Sequence, residues 1–481
     1  MVSAPYAKST RFPFLPGLLL LALAACAPVG PTYHLPVTAA VARPSAQWDF
    51  LGAGAASATT PDQPLPADWW RLYDDPRLDA LIARALAANT DLRVADANLR
   101  RAMALLGESE ARRQVQGGLS AQTGWTQRSA EQVLSHTQPA EKGTYDMDAS
   151  VSYDLDLFGG LRRGIEAAHA DSEAARAARD LARVNIVAQT ARAYADICNL
   201  GYEADVLTRL IAAQQEVADL TRKSAAHGRA APLDEDRHQV LVDTARAKMP
   251  GLLAGQKAAL FRLAALLGQT PAEADMSLLQ CHAPLVLRAP MPVGDGRALL
   301  ARRPDIRLTE RQLAADTARI GVATAALYPD ISLGASLGST GLTDDLLSPL
   351  TNRFSIGPSI HWTLNRNAAR ARIAATRAGA DADLARFDGA VLAALRDVES
   401  ALATYAGDLD REAALRAASA DATRAAGRLD RLRRGGRVGG IVAVEAERDA
   451  IAAQEALAAN AADLSHDQIA LFLALGGGWQ G

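Results

Sequence analysis

Few residues in this 481-residue chain have the types and spacing that chemistry on a substrate requires. The eight histidines are scattered, and the sequence contains no H-E-x-x-H zinc motif, no Walker A loop and no G-x-S-x-G nucleophile elbow. The segment 251–257 reads G-L-L-A-G-Q-K, which lacks both the spacing and the hydroxyl of a phosphate-binding loop. The sequence therefore predicts no catalytic residue, no metal site and no cofactor, and we expect that the protein is not an enzyme.

Cys26 has the clearest predicted chemistry, which is the covalent attachment of lipid. A basic start precedes the apolar stretch 12–23, and Cys26 follows two alanines. This pattern is typical of a secretory signal peptide over residues 1–25, and the cysteine resembles that of a bacterial lipobox, whose thiol receives diacylglycerol. Ala27 stands where aspartate usually retains lipoproteins in the inner membrane, so the pattern implies sorting to the outer membrane. The alternative is an ordinary signal peptide with a cysteine there by chance.

The two remaining cysteines, Cys198 and Cys281, have no chemistry that their neighbours reveal. In the oxidising periplasm they could form a disulfide between a long helix and a later connector. The sequence does not show whether they are close, so two unpaired thiols remain the alternative.

The composition excludes several classes of protein. Hydrophobic residues make up 49% of the chain and aromatic residues only 5%, which favours long alanine-rich helices over compact aromatic cores. A net charge of −3 gives no basic field that could hold nucleic acid. Three cysteines exclude a disulfide-stapled miniature fold. Beyond the signal peptide no apolar run approaches the roughly 20 residues of a membrane helix, so a polytopic inner-membrane protein is excluded.

Long stretches without proline predict unusually long helices. Residues 158–226 contain no proline, and a helix of that length would extend roughly 100 Å. A break at 228–232 separates it from a second helical stretch at 233–267. An earlier helical pattern runs from 76 to about 113, and a proline-rich leader at 26–68 precedes it.

The pattern then starts again after a connector at 271–295. Gly228 and Arg229 recur as Gly436 and Arg437, at a spacing of 208 residues. We interpret the chain as a tandem duplication in which each repeat contains a helix, a β-hairpin, a long helix and a return helix. The first repeat spans 69–270 with its hairpin at 119–157, the second spans 296–476 with its hairpin at 331–364, and a tail follows at 477–481.

The hairpins have the pattern of membrane strands. From Tyr145 to Leu157 apolar and polar residues alternate strictly, which predicts a strand with one apolar and one wet face. Pro358 is expected to interrupt the last of the four strands. Because bacterial barrels need at least about eight strands, a chain with four must oligomerise, as a dimer or a trimer, to close one. A hairpin that caps a soluble coiled coil is the alternative.

Short motifs spread over the whole mature chain resemble those of one family. They are V-G-P-T-Y-H-L-P at 29–36, W-W-R-L-Y-D-D-P-R-L at 69–78, D-L-D-L-F-G-G-L-R-R at 154–163, R-R-P-D-I at 302–306 and Y-P at 328–329. The chain resembles the TolC-like outer-membrane factors of tripartite efflux pumps, of the OprM and NodT type.

The resemblance implies a mixed α+β membrane protein. Its expected form is a homotrimer with a twelve-stranded β-barrel, four strands per chain, continued by a long periplasmic α-helical barrel. It would lie in the outer membrane, held by lipid on Cys26, and dock to a periplasmic adaptor (membrane fusion) protein. The adaptor would link it to an inner-membrane transporter of the resistance-nodulation-division (RND) class. The implied function is a passive, gated duct that exports drugs or other toxic small molecules.

The two helix turns would form the periplasmic tip that contacts the adaptor and narrows the pore. The residues expected there are Gly228, Arg229, Pro232, Gly436, Arg437, Gly439 and Gly440. Acidic residues lie just beyond the turns, and threefold symmetry would turn any that face the pore into a ring that favours cations. These candidates are Asp234, Glu235, Asp236, Glu445 and Glu447. Solvated carboxylates that stabilise helix N-termini are the alternative, and Ala443 and Ala446 stand where the family often has aspartates.

Two other functions remain open from the sequence. One is the outer-membrane conduit of a type I secretion system, although such conduits usually lack the lipobox that Cys26 indicates. The other is a periplasmic coiled-coil lipoprotein scaffold without a pore, for which alternating lipid-facing strands would have no use.

Overall fold

Long helices and one antiparallel sheet make up most of the chain. The computed structural model describes residues 28–52, 59–60, 63 and 65–477, so the expected signal peptide and Cys26 lie outside the described residues. In chain order the elements are α1 (Pro76–Ala88), α2 (Thr90–Ala111), β1 (Gln116–Thr126), β2 (Lys142–Asp154), α3 (Gly160–Ala226), α4 (Pro232–Leu266), α5 (Gly296–Arg302), α6 (Pro304–Ala325), β3 (Asp330–Leu342), β4 (Asn352–His361), α7 (Arg366–Arg434) and α8 (Gly440–Ala474).

The order of elements recurs along the chain. The series α2, β1, β2, α3, α4 is followed, after the connector, by α6, β3, β4, α7, α8. The long helices α3 and α7 have 67 and 69 residues, and the return helices α4 and α8 have 35 each. Within the connector, residues Met291–Pro292 pair in parallel with Thr59–Thr60 of the leader.

The first helical stretch differs from the continuous helix that the sequence predicts. The backbone of Asn89 is extended, and this residue separates α1 from α2. Its side-chain oxygen accepts hydrogen bonds from the backbone N–H groups of Asp91, at 2.9 Å, and Leu92, at 3.2 Å. Its amide nitrogen donates to the carbonyl of Leu266 at 3.0 Å. Asn89 therefore caps α2 and ties the break to the end of α4, which is a long-range contact that periodicity does not reveal.

The sheet is antiparallel, with the strand order β1, β2, β3, β4. Its register places the apolar side chains of all four strands on the same face. Ala149 of β2 lies between Leu119 and Leu337, and Leu337 lies opposite Phe354. The exposed large apolar residues on this face are Leu119, Trp125, Met147, Val151, Tyr153, Leu333, Leu337, Phe354, Ile356 and Ile360. The other face carries Ser120, Gln122, Asp146, Asp148, Ser150, Ser152, Ser332, Ser336, Thr340, Arg353, Ser355 and Ser359.

The expected interruption at Pro358 was wrong. Strand β4 continues through Pro358, which lies opposite Leu333 of β3. Because β4 is an edge strand, a residue without an N–H group can occupy it when that position points away from the ladder.

The described residues fall into two compact units. One contains the sheet and is built from the residues up to 35, 99–174 and 309–386. The other is built from 36–98, 175–308 and the residues from 387 onward. In the second unit Trp69 stacks on Phe472, with ring centroids 4.4 Å apart, and the Tyr73 hydroxyl donates to Gln468 at 3.1 Å. Buried aromatic residues thus anchor the segment before α1 to α8.

Among the described residues, no helix combines the length and the apolar character needed to cross a membrane.

Candidate functional site

The turns between the long helices and their return helices have the same geometry in both halves of the chain. Gly228 and Gly436 have φ values of 67° and 68°. The residue after each glycine donates its N–H group back across the turn, from Arg229 to the Ser224 carbonyl at 2.8 Å and from Arg437 to the Leu432 carbonyl at 2.9 Å. This is the Schellman arrangement, which ends a helix at a residue in the left-handed region that favours glycine.

The other predicted tip residues begin the return helices. Pro232 is the first residue of α4, a position that needs no N–H donor. Gly439 precedes α8 as its N-cap, and Gly440 is its first residue. The predicted tip residues therefore form two short reversals of the same kind.

The acidic candidates on α4 differ in their partners. Glu235 accepts a hydrogen bond at 3.0 Å from Nε of Arg222 on α3, and this bond raises the pKa of the Arg222 guanidinium. Asp234 lies 3.7 Å from Arg237, within an ion pair. Asp236 is exposed and has no ion-pair partner among the residues that the structure describes. Arg222 thus pairs with acidic residues of its own chain.

The candidates on α8 lie near a groove of about 740 Å³ between α3, α7 and α8. Small residues line much of it, and Glu447 is one of its charged residues, whereas Glu445 is half-buried outside its lining. The charged residues of the lining are Arg209, Glu216, Asp430, Arg433 and Glu447. Hydrogen bonds from Arg433 and Arg434 lower the pKa of Asp430.

An ion-pair bridge crosses the polar face of the sheet. Arg353 of β4 reaches over β3 to Asp146 at 2.9 Å and Asp148 at 3.1 Å, both on β2. It passes over Gly338, where a Cβ atom would lie only 3.3 Å from the guanidinium carbon. The polar face therefore carries fixed charges of both signs.

In the described part of the chain, no group of three or more His, Cys, Asp or Glu side chains is arranged to hold a metal ion.

The amino-acid sequence matches the sequence model of one protein family over most of its length. The sequence model of the family described as outer membrane efflux protein matches residues 81–269 and 296–477. The chain belongs to the outer membrane efflux protein family. Its function is that of an outer-membrane efflux channel, which places it among channel proteins rather than enzymes.

Similar proteins span nearly the whole length of this efflux protein. The pyoverdine export outer membrane protein OpmQ of Pseudomonas putida is 30% identical over 96% of each chain. Outer membrane protein OprJ of Pseudomonas aeruginosa is also 30% identical, over 96% of this chain and 95% of that one. A solved structure of the outer-membrane channel OprN has a TM-score of 0.84 and 33% identity, covering 94% of this chain and 100% of that chain. The chain therefore has the fold of an outer-membrane channel.

In this efflux protein Cys198 and Cys281 form a disulfide with an S–S distance of 2.05 Å. The bond joins α3 to the connector, beside a hydrogen bond in which Nδ1 of His282 lies 2.7 Å from Oδ2 of Asp205. Gln256 of α4 adds a third tie, because its amide donates to the carbonyls of Ile197 and Leu279. The connector is thus attached to α3 and α4 by both covalent and polar contacts.

The leader of the efflux protein is held by Arg163, the last residue of the D-L-D-L-F-G-G-L-R-R motif. Arg163 is only 4% exposed. Its guanidinium donates to the carbonyls of Val29 at 3.3 Å and Gly30 at 3.2 Å, and to the hydroxyl of Thr32 at 3.1 Å. The motif could have drawn attention to Arg163, but only the fold brings it to the leader.

Sequence reasoning missed a pair of carboxyl groups between α7 and α8. Burial and the neighbouring Asp408 carboxylate raise the pKa of Asp467 to about 7, and Asp463 adds to the effect while His466 opposes it. Oδ2 of Asp467 is buried without a hydrogen-bond partner among the described residues. A proton on this carboxyl would supply the missing donor. No sequence signal distinguishes these aspartates from those on solvated helix faces.

Proposed function

We propose that this chain forms, as a homotrimer, the lipid-anchored outer-membrane duct of a tripartite efflux system for small organic molecules. The observation that carries the proposal is the sheet, which is apolar and exposed on one face, polar on the other, and open at both edges. An apolar face of this kind suits lipid, and a polar face suits a water-filled pore. Lipid cannot satisfy the hydrogen bonds of open strand edges, so the sheet must continue into other copies.

The edge strands support closure by a second copy on each side. Both β1 and β4 are exposed along their whole length. In the proposed trimer β1 of one subunit pairs with β4 of the next, and twelve strands close the barrel. The long and return helices of the three subunits then form a twelve-helix barrel in the periplasm, and the recurring element order reflects a tandem duplication.

The groove between α3, α7 and α8 is the proposed seat of the periplasmic adaptor. Its small residues allow another helix to approach closely, and its charged residues can pair with charges on that helix. The groove lies along the helical segments that lead to the turns at Gly228 and Gly436. The adaptor would connect the duct to an inner-membrane transporter of the RND class, which supplies the energy.

The anchor and the cargo complete the proposal. Residues 1–25 would be removed as a signal peptide, and Cys26 would carry lipid that holds the chain in the outer membrane. The name of OpmQ states export of pyoverdine, and that of another relative, FusA of Burkholderia cepacia, states resistance to fusaric acid. We therefore propose small organic molecules as cargo, carried without any chemical step in this chain.

Negative-stain electron microscopy of the detergent-purified protein, with the molecular mass from light scattering, tests the proposal. We expect trimers that appear as hollow cylinders with threefold symmetry. Compact monomers or solid rods would overturn the duct and leave the non-pore lipoprotein scaffold as the explanation. Current through planar bilayers gives an independent test of the pore.

A further inference from the structure

The loop between β3 and β4, residues 343–351, folds back over the end of the apolar face of the sheet. Gly143 and Gly341 lie on that face, since their register matches that of Trp125 and Tyr145. A Cβ atom at Gly143 would lie 2.3 Å from the hydroxyl of Thr343, and one at Gly341 would lie 2.6 Å from a methyl group of Thr351. The two glycines therefore leave the space that the loop occupies.

The hydroxyl of Tyr145 fastens the loop to the sheet. Tyr145 is 4% exposed, and its oxygen lies 2.8 Å from the hydroxyls of both Ser339 and Thr351. It also accepts a hydrogen bond from the backbone N–H of Leu347 at 2.9 Å. One side chain of the apolar face thus holds the middle and the far end of the loop and ties them to β3.

The loop directs three leucines outward. Leu346, Leu347 and Leu350 are 53%, 62% and 97% exposed. Leu347 has a φ of 60°, a conformation that is unfavourable for a non-glycine residue, and the hydrogen bond to Tyr145 holds it there. Asp344 and Asp345 lie at the start of the loop, so the loop is polar next to β3 and apolar in its middle.

We propose that the β3–β4 loop is a membrane-interface wedge whose leucines bind the acyl chains of the outer leaflet. The inference rests on the proposed function, in which the apolar face of the sheet contacts lipid. It goes further because the loop lies on that same face, and its leucines extend the apolar surface of Leu337 and Phe354 past the strand ends. Acyl chains are the occupant that this continuity favours over a polar partner.

Fluorescence quenching in reconstituted vesicles tests the wedge. Leu350→Cys introduces a thiol for an environment-sensitive label in the full-length protein, where Cys198 and Cys281 are bonded to each other. The quencher is a phospholipid with a nitroxide on its acyl chain, and aqueous iodide is the opposing probe. Ile356→Cys and Ser355→Cys are matched controls, because these neighbours in β4 lie on the apolar and polar faces.

We expect lipid quenching at Leu350 to match that at Ile356 and to exceed that at Ser355 several-fold. If Ile356 is quenched and Leu350 behaves like Ser355, the wedge is wrong while the proposed function stands. If neither lipid nor iodide reaches Leu350, another protein surface covers it, which also overturns the wedge. If Ile356 itself is not quenched by lipid, the lipid-facing sheet fails and both proposals fail with it.

Tyr145→Phe tests the positioning role of the hydroxyl. The substitution keeps the ring and removes the polar contacts, so the loop should leave the sheet. Lipid quenching at Leu350 should then fall toward the Ser355 value while quenching at Ile356 stays unchanged. Unchanged quenching at Leu350 would show that Tyr145 does not hold the wedge in place.

Discussion

Single residues attach the described parts of the leader and the connector to the helices of this efflux protein. Ordering such segments costs conformational entropy, which contacts to the helices must offset. The disulfide between Cys198 and Cys281 holds the connector, and Arg163 holds the leader. Cys198 and Arg163 are buried, so we expect substitutions there to affect stability more than substitutions on the helix surfaces.

Removing the disulfide should lower the stability of the protein. The cysteines are 83 residues apart in sequence, and a disulfide typically stabilises a fold by roughly 2–4 kcal/mol, with long loops at the upper end. The double variant Cys198→Ala with Cys281→Ala should therefore unfold at a lower temperature than the wild type, as measured by circular dichroism in detergent. Reductant should destabilise the wild type alone, and equal midpoints for both proteins would contradict the prediction.

Arg163→Ala should release residues 28–33 from the sheet-containing unit. The loss of several hydrogen bonds to a charged, buried donor should cost roughly 2–3 kcal/mol of local stability. Hydrogen exchange by mass spectrometry should show faster exchange in this segment, and Arg163→Lys should not restore protection because an ammonium lacks the planar fork. Arg112→Ala is the control, since that arginine forms an exposed helical ion pair with Glu108. Equal exchange in both variants would contradict the role of Arg163 in holding the leader.

At the scale of elements, glycines with positive φ end the helices at matching positions in the two halves. Gly228 and Gly436 end α3 and α7, and Gly268 and Gly476 follow α4 and α8. Each pair is separated by 208 residues, the spacing on which the predicted tandem duplication was based. The glycines therefore recur at this spacing because the backbone has a positive φ at each of these positions.

Gly436→Ala should destabilise the tip turn by roughly 1 kcal/mol, because alanine pays a steric penalty at positive φ. Gly251→Ala offers a matched control with the opposite sign. Gly251 lies inside α4 with open space around its Cβ position, so alanine there should stabilise the helix by roughly 0.5–1 kcal/mol. Thermal midpoints of the two variants should fall on opposite sides of the wild-type value, and a shift of both in the same direction would contradict the turn argument.

The carboxyl pair between α7 and α8 should make stability depend on pH. The pKa of Asp467 is about 7 in the folded chain and about 3.9 in an unfolded one. Between these values the folded chain holds a proton that the unfolded chain has released, so this group makes stability fall as pH rises from about 4 to about 7. Above that range its ionised form opposes folding beside Asp408.

Asp467→Asn should remove this loss of stability. At pH 8 the variant should be more stable than the wild type by roughly 1 kcal/mol, since solvent screens part of the repulsion. Near pH 5 the two should be similar. Asp449→Asn on the exposed surface of the same helix is the control for net charge. Thermal melting curves of the three proteins at pH 5 and pH 8 test this prediction. If the melting temperatures of all three change equally between the two pH values, Asp467 does not hold a proton in the folded chain.

At the scale of the whole molecule, the proposed trimer would turn single charges into rings. Asp236 is exposed without an ion-pair partner among the described residues, whereas Glu235 is paired with Arg222. Asp236→Asn should therefore lower the preference for cations over anions in planar-bilayer recordings more than Glu235→Gln does. Both variants remove one negative charge per chain, so equal effects would indicate that distance from the pore, and not pairing, controls selectivity.

Much of the fold could be predicted because its signals are local. A proline-free stretch indicated α3, and strict alternation indicated β2 and its apolar face. The candidate site was harder to predict, since the role of each acidic residue as a pore charge depends on whether a basic residue neutralises it. Arg222 forms an ion pair with Glu235, so Glu235 is not an unpaired charge. No spacing in the sequence predicts that contact.

The sequence by itself determined the family, the long helices, the alternating strands and the turns with their glycines. These properties follow from backbone preferences and periodicity, which act over a few residues at a time. Only the tertiary structure decided that Cys198 meets Cys281, that Asn89 breaks the first helix, that Arg163 holds the leader and that Tyr145 fastens the β3–β4 loop. Each of these contacts joins residues far apart in the chain, and such contacts depend on the register and packing of whole elements.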